Sequence, residues 1–383
     1  MEEKGKIGQG IVERLGEIKD QRREWGNKRH ELVDILFIAL CTIVCGLTDF
    51  EDMVIFGRER IEWLRKYVRL EHGIPSASTF ERVFQAMRPE AMGVFYRSWA
   101  SSMREEKRSQ ISLDGKTICG AGAAQKVHIV SAWAQEEGLC LGQIRVDEKS
   151  NEITAIPELL AILDIRECVV TLDAMGCQKE IAKEIITRGG EYVLAVKGNH
   201  PTLANEVKEC FEWVDRENPT DIKVEKWLGG YEKEHGRIEH REVRVMPCPE
   251  WPGVQAEWTS LKTLVHYRCS RESTGDQSGA KVWSDRYYIS SLDCSAQEMS
   301  QYLRNHWAIE NQLHWLLDVR FREDASTIRM YNAPENLNTL RKVAATLLRN
   351  TPTVKKTSVK GKMTRAALNA GFLETVLFAL GSP

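Results

Sequence analysis

A mixed α/β core, preceded by a helical region and interrupted by a largely β insertion, is the fold this sequence predicts. Three observations lead there. Apolar positions recur at helical spacing up to about residue 105 and switch to two-residue alternation from about 109. Three strand-like runs then follow one another before a helix, after which strand and helix alternate. Finally, the stretch 201–284 interrupts that alternation with five tryptophans (Trp213, Trp227, Trp251, Trp258, Trp283) and several strand-like pieces. Three strands, a helix, then alternating strand and helix is the order of a ribonuclease H-like mixed sheet. In that topology the first and fourth strands pair in parallel near the sheet centre.

The helical region starts charged and weakly amphipathic. Ile35–Leu47 is apolar on every side and reads as a buried helix, being shorter than the roughly 20 residues a membrane span needs. Phe50–Arg69 carries apolar and charged positions at helical spacing. Gly73 and Pro75 end that helix, and Ser76 or Ser78 can cap the next. Helix, short turn and capped helix is the outline of a DNA-binding helix-turn-helix and equally of a plain helical hairpin.

Strands are expected at 110–114, 127–134 and 139–147, followed by a helix at 153–163 with Asn151 as its cap. A strand at 168–173, a helix at 178–188 stopped by Gly189-Gly190, and a strand at 191–196 come next. Gly120 and Gly122 match neither a dinucleotide fingerprint nor a P-loop and read as a turn. Within the insertion, 237–245 is strand-like and 270–279 reads as an exposed loop. A last strand at 286–291 leads to a long helix from about 296 to 319. The expected division is therefore a helical accessory region (1–105) that is a candidate for DNA contact, the first part of the core (106–200), the β-rich insertion (201–284), the final core strand and helices (285–350), and a basic tail (351–383).

Composition narrows the class. With 383 residues, 42% hydrophobic and 28% charged, the chain is an ordinary globular protein of two or three domains. A formal net charge of -2 provides no bulk attraction to nucleic acid, so any basic surface must be local. Phe321–Arg365 supplies one: Arg322, Arg329, Arg341, Lys342, Arg349, Lys355, Lys356, Lys360, Lys362 and Arg365 against Glu323, Asp324 and Glu335. A solvated helix face with a tail is the alternative reading. The ten cysteines contain no C-x-x-C pair, which excludes a zinc ribbon and a thioredoxin-like motif. The charged start, Met1-Glu-Glu-Lys, has no signal-peptide character, and a reducing cytoplasm is the expected location.

The chemistry rests on three carboxylates. Asp114 closes the first strand and Asp173 the fourth, so parallel pairing makes them neighbours. Glu310, on the long helix, completes an all-oxygen set suited to Mg²⁺, with Mn²⁺ as substitute. Two such ions about 3.5–4 Å apart can activate a water or a 3′-hydroxyl and stabilise the leaving oxygen of a phosphodiester. His306, Glu310 and His314 follow at i, i+4 and i+8 and form one helical row, flanked by Trp307 and Asn311. That row also permits a zinc-hydrolase reading, although H-E-x-x-H is absent, or a polar helix face with satisfied histidines.

Asp114-Gly-Lys-Thr117, Val146–Pro157, Thr171–Lys179 and Tyr192–Asn199, with Glu234–Arg241 and His306–Val319, resemble the DDE transposases of bacterial insertion sequences, more narrowly the H-repeat-associated group. The likeness runs from Leu32 to Phe372. It implies a ribonuclease H-like catalytic core with a β insertion, an accessory helical domain ahead of it, and Asp114, Asp173 and Glu310 as catalytic metal ligands. It also implies Mg²⁺-dependent hydrolysis at transposon ends and transfer of the freed 3′-hydroxyl into target DNA. Related transposases carry Tyr, Arg and Lys at minus seven, minus four and plus seven from the catalytic Glu. Here those offsets hold Leu303, His306 and Leu317, with Tyr302 and Arg304 nearby but out of register.

The expected protein is a transposase acting on double-stranded DNA, both ends and target, as a homodimer on paired ends and away from membranes. Phosphate contacts are expected from Lys116 and Lys197 on the rim and from Arg304, His306, Asn311 and His314 on the helix. Arg237 and Arg241 are expected to join them, since they share one strand face at about the spacing of successive phosphates. The rivals are a metal-dependent nuclease without strand transfer and a catalytically silent DNA-binding protein.

Overall fold

A computed structural model of the chain describes residues 9–22, 28–104, 109–118, 127–146, 151–234, 237–249, 257–273 and 282–378. Helices come first among them: α1 (Gln9–Gly16), α2 (Leu32–Val44), α3 (Phe50–Glu59), α4 (Ile61–Leu64), α5 (Ala77–Ala86) and α6 (Pro89–Met103). Because α2 is apolar on all sides it is buried on nearly all of them. It stops before Gly46, whose φ of +82° suits a residue without a Cβ. The single helix expected over 50–69 is two. A capping box between Asp49 and Asp52 opens α3, and the chain leaves helical geometry at Arg60, whose guanidinium donates to the Ala367 carbonyl at 2.8 Å. Ser76 is the residue before α5, but its hydroxyl meets Ser78 and Thr79 side chains instead of capping the backbone.

The sheet follows the expected order. β1 (Gln110–Ile118), β2 (Val127–Ala134) and β3 (Leu139–Val146) form an antiparallel meander, and α7 (Glu152–Ala161) leads to β4 (Val169–Leu172). Asn151 caps α7 by accepting from the Thr154 N–H at 3.3 Å. β4 lies parallel to β1, with Leu113 opposite Leu172, and α8 (Lys179–Thr187) connects it to parallel β5 (Glu191–Val196). Strand order 3-2-1-4-5 with this mixture of directions is the ribonuclease H-like core.

The β-rich segment extends this same sheet. After α9 (Pro201–Glu217) come β6 (Glu225–Leu228), β7 (Glu232–Glu234), β8 (Arg237–Pro247), β9 (Thr263–Ser273) and β10 (Val282–Ser290). β10 pairs antiparallel with β5, and the order continues 10-9-8-6, with β7 paired to β8. Pairing with β5 starts only at Tyr287, opposite Val196, so β10 overshoots the rim of the core. His235, Gly236, Trp251 and most of the expected 270–279 loop lie outside the described residues, as do Gly120 and Gly122.

The long helix expected from 296 to 319 has three parts: α10 (Ala296–His306), a π-helical turn (Ile309–His314) and α11 (Trp315–Val319). A capping box between Ser295 and Glu298 starts α10. α12 (Ala333–Asn350) is buried along almost its whole length. The stretch expected as a basic tail is folded as α13 (Val359–Leu368) and α14 (Ala370–Phe378). Met363, Phe372, Leu373, Val376 and Leu377 are buried in the core that also contains Leu36, Phe80, Leu113 and Leu340. One apolar interior thus joins the N-terminal helices, the C-terminal helices and the sheet. Lys362 is buried as well, and its ammonium donates to the carbonyls of Leu348, Arg349 and Thr351 at 2.7, 3.0 and 2.6 Å, closing the C-terminus of α12. Among the described residues no helix is long and apolar enough to cross a membrane.

Candidate active site

β1 does not stop at Asp114, as the sequence suggested, but runs on to Ile118 against β2. Its other neighbour, β4, ends at Leu172. Asp114 therefore stands where one side of β1 loses its partner strand, and the parallel register puts Asp173 beside it on the chain leaving β4. The Asp173 carboxylate accepts from the backbone N–H groups of Met175 and Gly176 at 2.9 and 3.2 Å through Oδ1. That turn fixes the side chain while leaving Oδ2 outside these bonds.

Glu310 approaches from the π-turn. His314 Nδ1 lies 3.0 Å from Glu310 Oε2 and 3.4 Å from Asp114 Oδ2. One donor atom from each of Asp114, Glu310 and His314 falls within 4.8 Å of the others. Burial pushes the Asp114 carboxyl up to about 6; His314 opposes that shift, and Asp173, Glu152 and Glu310 add to it by repulsion. The hydrogen bond from His314 holds Glu310 below the usual carboxylate range, with Lys116 helping. Two crowded carboxylates, a third on the same cleft and an imidazole nitrogen, His314 Nδ1, beside the first two fit a divalent cation. Asp173 lines the cleft with Asp114 and Glu310, but the tight cluster has His314 as its third member where the sequence pointed to Asp173.

The expected row of His306, Glu310 and His314 does not survive the π-turn, whose wider winding rotates residues after it relative to those before. His306 turns to the sheet and shares a 2.9 Å hydrogen bond with Thr171 Oγ1. Burial, helped by Lys197, pushes His306 down to about 4, so its imidazole is neutral at physiological pH and carries no charge to a phosphate. Among the described residues the tight ligand group is Asp114, Glu310 and His314, and His306, although it lines the same cleft, is not part of it. Leu303 and Leu317, at the two offsets where related proteins carry Tyr and Lys, are buried. Apolar side chains there pack inward, into the core.

Other expected contacts are distributed unevenly. Lys197 lines the cleft and Asn311 is exposed on the π-turn. Lys116 is taken up by three carboxylates: Asp318, Glu323 at 3.0 Å and Asp324 at 3.5 Å. Arg241 meets Glu232 and Glu239, each at 2.5 Å, and Arg304 is also paired with Glu232. The Arg237 side chain lies outside the described residues, although its backbone starts β8. Of the ten cations between 322 and 365, Arg341 is buried against Glu323, Lys342 against Ser131 and Gln143, and Arg349 donates to Gln312. Lys355, Lys356 and Lys360 are exposed.

Sequence reasoning missed Arg286. It lines the cleft, and its guanidinium lies 5.0 Å from the ring centre of Trp307, itself half exposed at the same opening. A signal existed, since residue 286 opened the strand expected next to the catalytic helix and alternation sets it on one face with Tyr288.

Residues 105–347 match the family described as Transposase DDE domain, and residues 12–100 match DDE_Tnp_1-associated. The chain is 39% identical over 379 residues to "Putative transposase YncI" of Escherichia coli O157:H7, covering 96% of this chain and 94% of that protein. It is 36% identical over 377 residues to "H repeat-associated putative transposase YhhI" of Escherichia coli (strain K12), covering 97% and 98%. Among solved structures it is similar to a piggyBac transposase synaptic complex with hairpin DNA, with a TM-score of 0.45, 12% identity and coverage of 99% of this chain and 79% of that one. The chain belongs to the DDE transposases, within their H-repeat-associated group.

Proposed function

We propose that this transposase cleaves DNA at transposon ends and joins the freed 3′-hydroxyl to a target, with Asp114, Asp173 and Glu310 as its catalytic carboxylates and His314 beside them. The observation that carries this reading is the convergence of Asp114, Glu310 and His314 within 4.8 Å where β4 stops, on a cleft that Asp173 also lines. A pair of divalent cations, Mg²⁺ or Mn²⁺, would supply the Lewis acidity that activates the attacking oxygen and balances charge on the phosphate. The protein's own contribution is placement. The Asx turn fixes Asp173, the π-turn aims Glu310 and His314 at Asp114, and His314 is buried behind the half-buried Asp114 while Glu310 faces the open side of the cleft. Lys197 and Arg286 on the cleft and Asn311 on the π-turn offer donors to the phosphates of a DNA end, and Lys355, Lys356 and Lys360 a diffuse attraction. A double-stranded end is the substrate, paired with a second end in a homodimer.

The test is incubation of purified protein with labelled DNA carrying the sequence that flanks the gene, a supercoiled target, and Mg²⁺ or Mn²⁺. Joined product is expected from the natural chain, and bound but uncut DNA from Asp114→Ala, Asp173→Ala and Glu310→Ala, because affinity comes mainly from phosphate contacts elsewhere. Cut ends without joining would leave a nuclease, and binding without cutting a silent relative. Cleavage by the Glu310→Ala protein at the natural rate would falsify the assignment.

A further inference from the structure

Asp114 and Glu310 reach the site from different elements, a strand and a π-turn, and something must hold the two at a fixed separation. Lys116 lies two residues beyond Asp114 on β1, hence on the same face of the sheet. Its ammonium does not point to solvent. It bridges to Asp318, on α11 immediately after the π-turn, and donates to Glu323 Oε2 at 3.0 Å. Glu323 is fully buried. Its other oxygen accepts from Asn338 Nδ2 at 2.9 Å and from Arg341 Nη1 at 3.3 Å, and both donors stand on buried α12. Glu323 is also tied by its backbone to α11, the helix of Asp318, donating to the Leu317 carbonyl at 3.1 Å.

We propose that Lys116 and Glu323 are positioning residues that set the distance between Asp114 and Glu310, with α12 as the fixed anchor. Lys116 links the strand of one ligand to the helix of the other, and Glu323 fastens that link to the helix that supports the sheet. Neither residue contacts the reacting atoms. The inference rests on the metal-dependent reading of the site. It differs from a phosphate-binding role for Lys116, because three carboxylates already surround the ammonium.

Charge and position predict opposite signs here, which makes the idea testable. Removing a cation next to Asp114 and Glu310 leaves more negative charge, so on charge alone divalent ions should bind more tightly. If Lys116 sets geometry, they should bind less tightly. The experiment measures Mn²⁺ affinity of the full metal-free chain, without DNA, for the natural protein, Asp114→Asn, Lys116→Met and Lys116→Arg, with thermal unfolding alongside. Lys116 bonds no ligand directly, so its loss is expected at the low end of the roughly 10–100-fold that losing a ligand's own outer partner costs. Lys116→Met is expected to weaken Mn²⁺ at least about tenfold, and Lys116→Arg to recover most of it. Should Lys116→Met fail to fold because the buried Glu323 Oε2 loses its donor, the Lys116→Met/Glu323→Gln double variant relieves that charge and must show the same loss. Unchanged or tighter Mn²⁺ binding by the folded variant, with binding lost in Asp114→Asn, overturns the positioning role alone. A natural chain that binds no Mn²⁺ overturns both the metal reading and this inference.

Discussion

Replacing Asp114 by Asn should stabilise the metal-free protein while destroying the site. The carboxyl is raised from 3.8 to about 6, first by burial and further by Asp173, Glu152 and Glu310. Such a difference is worth about 3 kcal/mol, at about 1.4 kcal/mol per pH unit. The side chain keeps 26% of its exposure, so solvent screening lowers the figure to about 2 kcal/mol. The sign follows from proton binding. The native state holds this proton to higher pH than the unfolded chain does, so the group's contribution is fully present below 3.8 and is lost as pH rises through about 6. Asn keeps the shape and removes the charge. Urea unfolding in a chelator should therefore show the D114N protein more stable by about 2 kcal/mol at pH 7.5 and indistinguishable from the natural chain near pH 3.8. Added Mn²⁺ should then stabilise only the natural chain, by about 2.7 kcal/mol at one hundred times its dissociation constant. A D114N protein less stable at pH 7.5, or a difference that ignores pH, would refute the claim that this carboxylate is held under electrostatic stress.

Three further outcomes follow from the packing. A Cβ on Gly115 would sit 2.1 Å from Glu152 Oε1 and 2.7 Å from His128 Nε2, breaking their 2.7 Å hydrogen bond; Gly115→Ala should lose about 2 kcal/mol in thermal unfolding, and an unchanged melting temperature would mean that Glu152 swings aside freely. Lys362→Met leaves three backbone carbonyls at the end of α12 without their donor, and should cost about 3 kcal/mol by urea unfolding; a loss below about 1 kcal/mol would show that water replaces the ammonium. The exposed Lys355, Lys356 and Lys360 can be changed together to Ala with the fold intact, and the slope of log affinity for DNA against log salt should flatten by about 0.9 for each phosphate these lysines neutralise; a constant slope would return them to plain solvated surface.

The order of strands and helices through the core was determined by the sequence alone, because two-residue and helical periodicities are local properties of the chain. Strand order then placed Asp114 and Asp173 on neighbouring strands, since in this topology pairing follows from order. What periodicity cannot carry is the partner of a residue far away in the chain. The β-rich segment looked like a separate insertion, and only the pairing of β10 with β5 made it part of one sheet. The cations from Arg341 to Lys362 looked like a basic face; burial against Glu323, Gln143 and the carbonyls of α12 makes several of them internal fasteners. The histidine row assumed regular α-helical winding, and a π-turn turned His306 to Thr171 and His314 to Asp114. The sequence supplies the candidate carboxylates, but contacts between residues far apart in the chain, such as His314 with Asp114 at 3.4 Å, decide which of them meet.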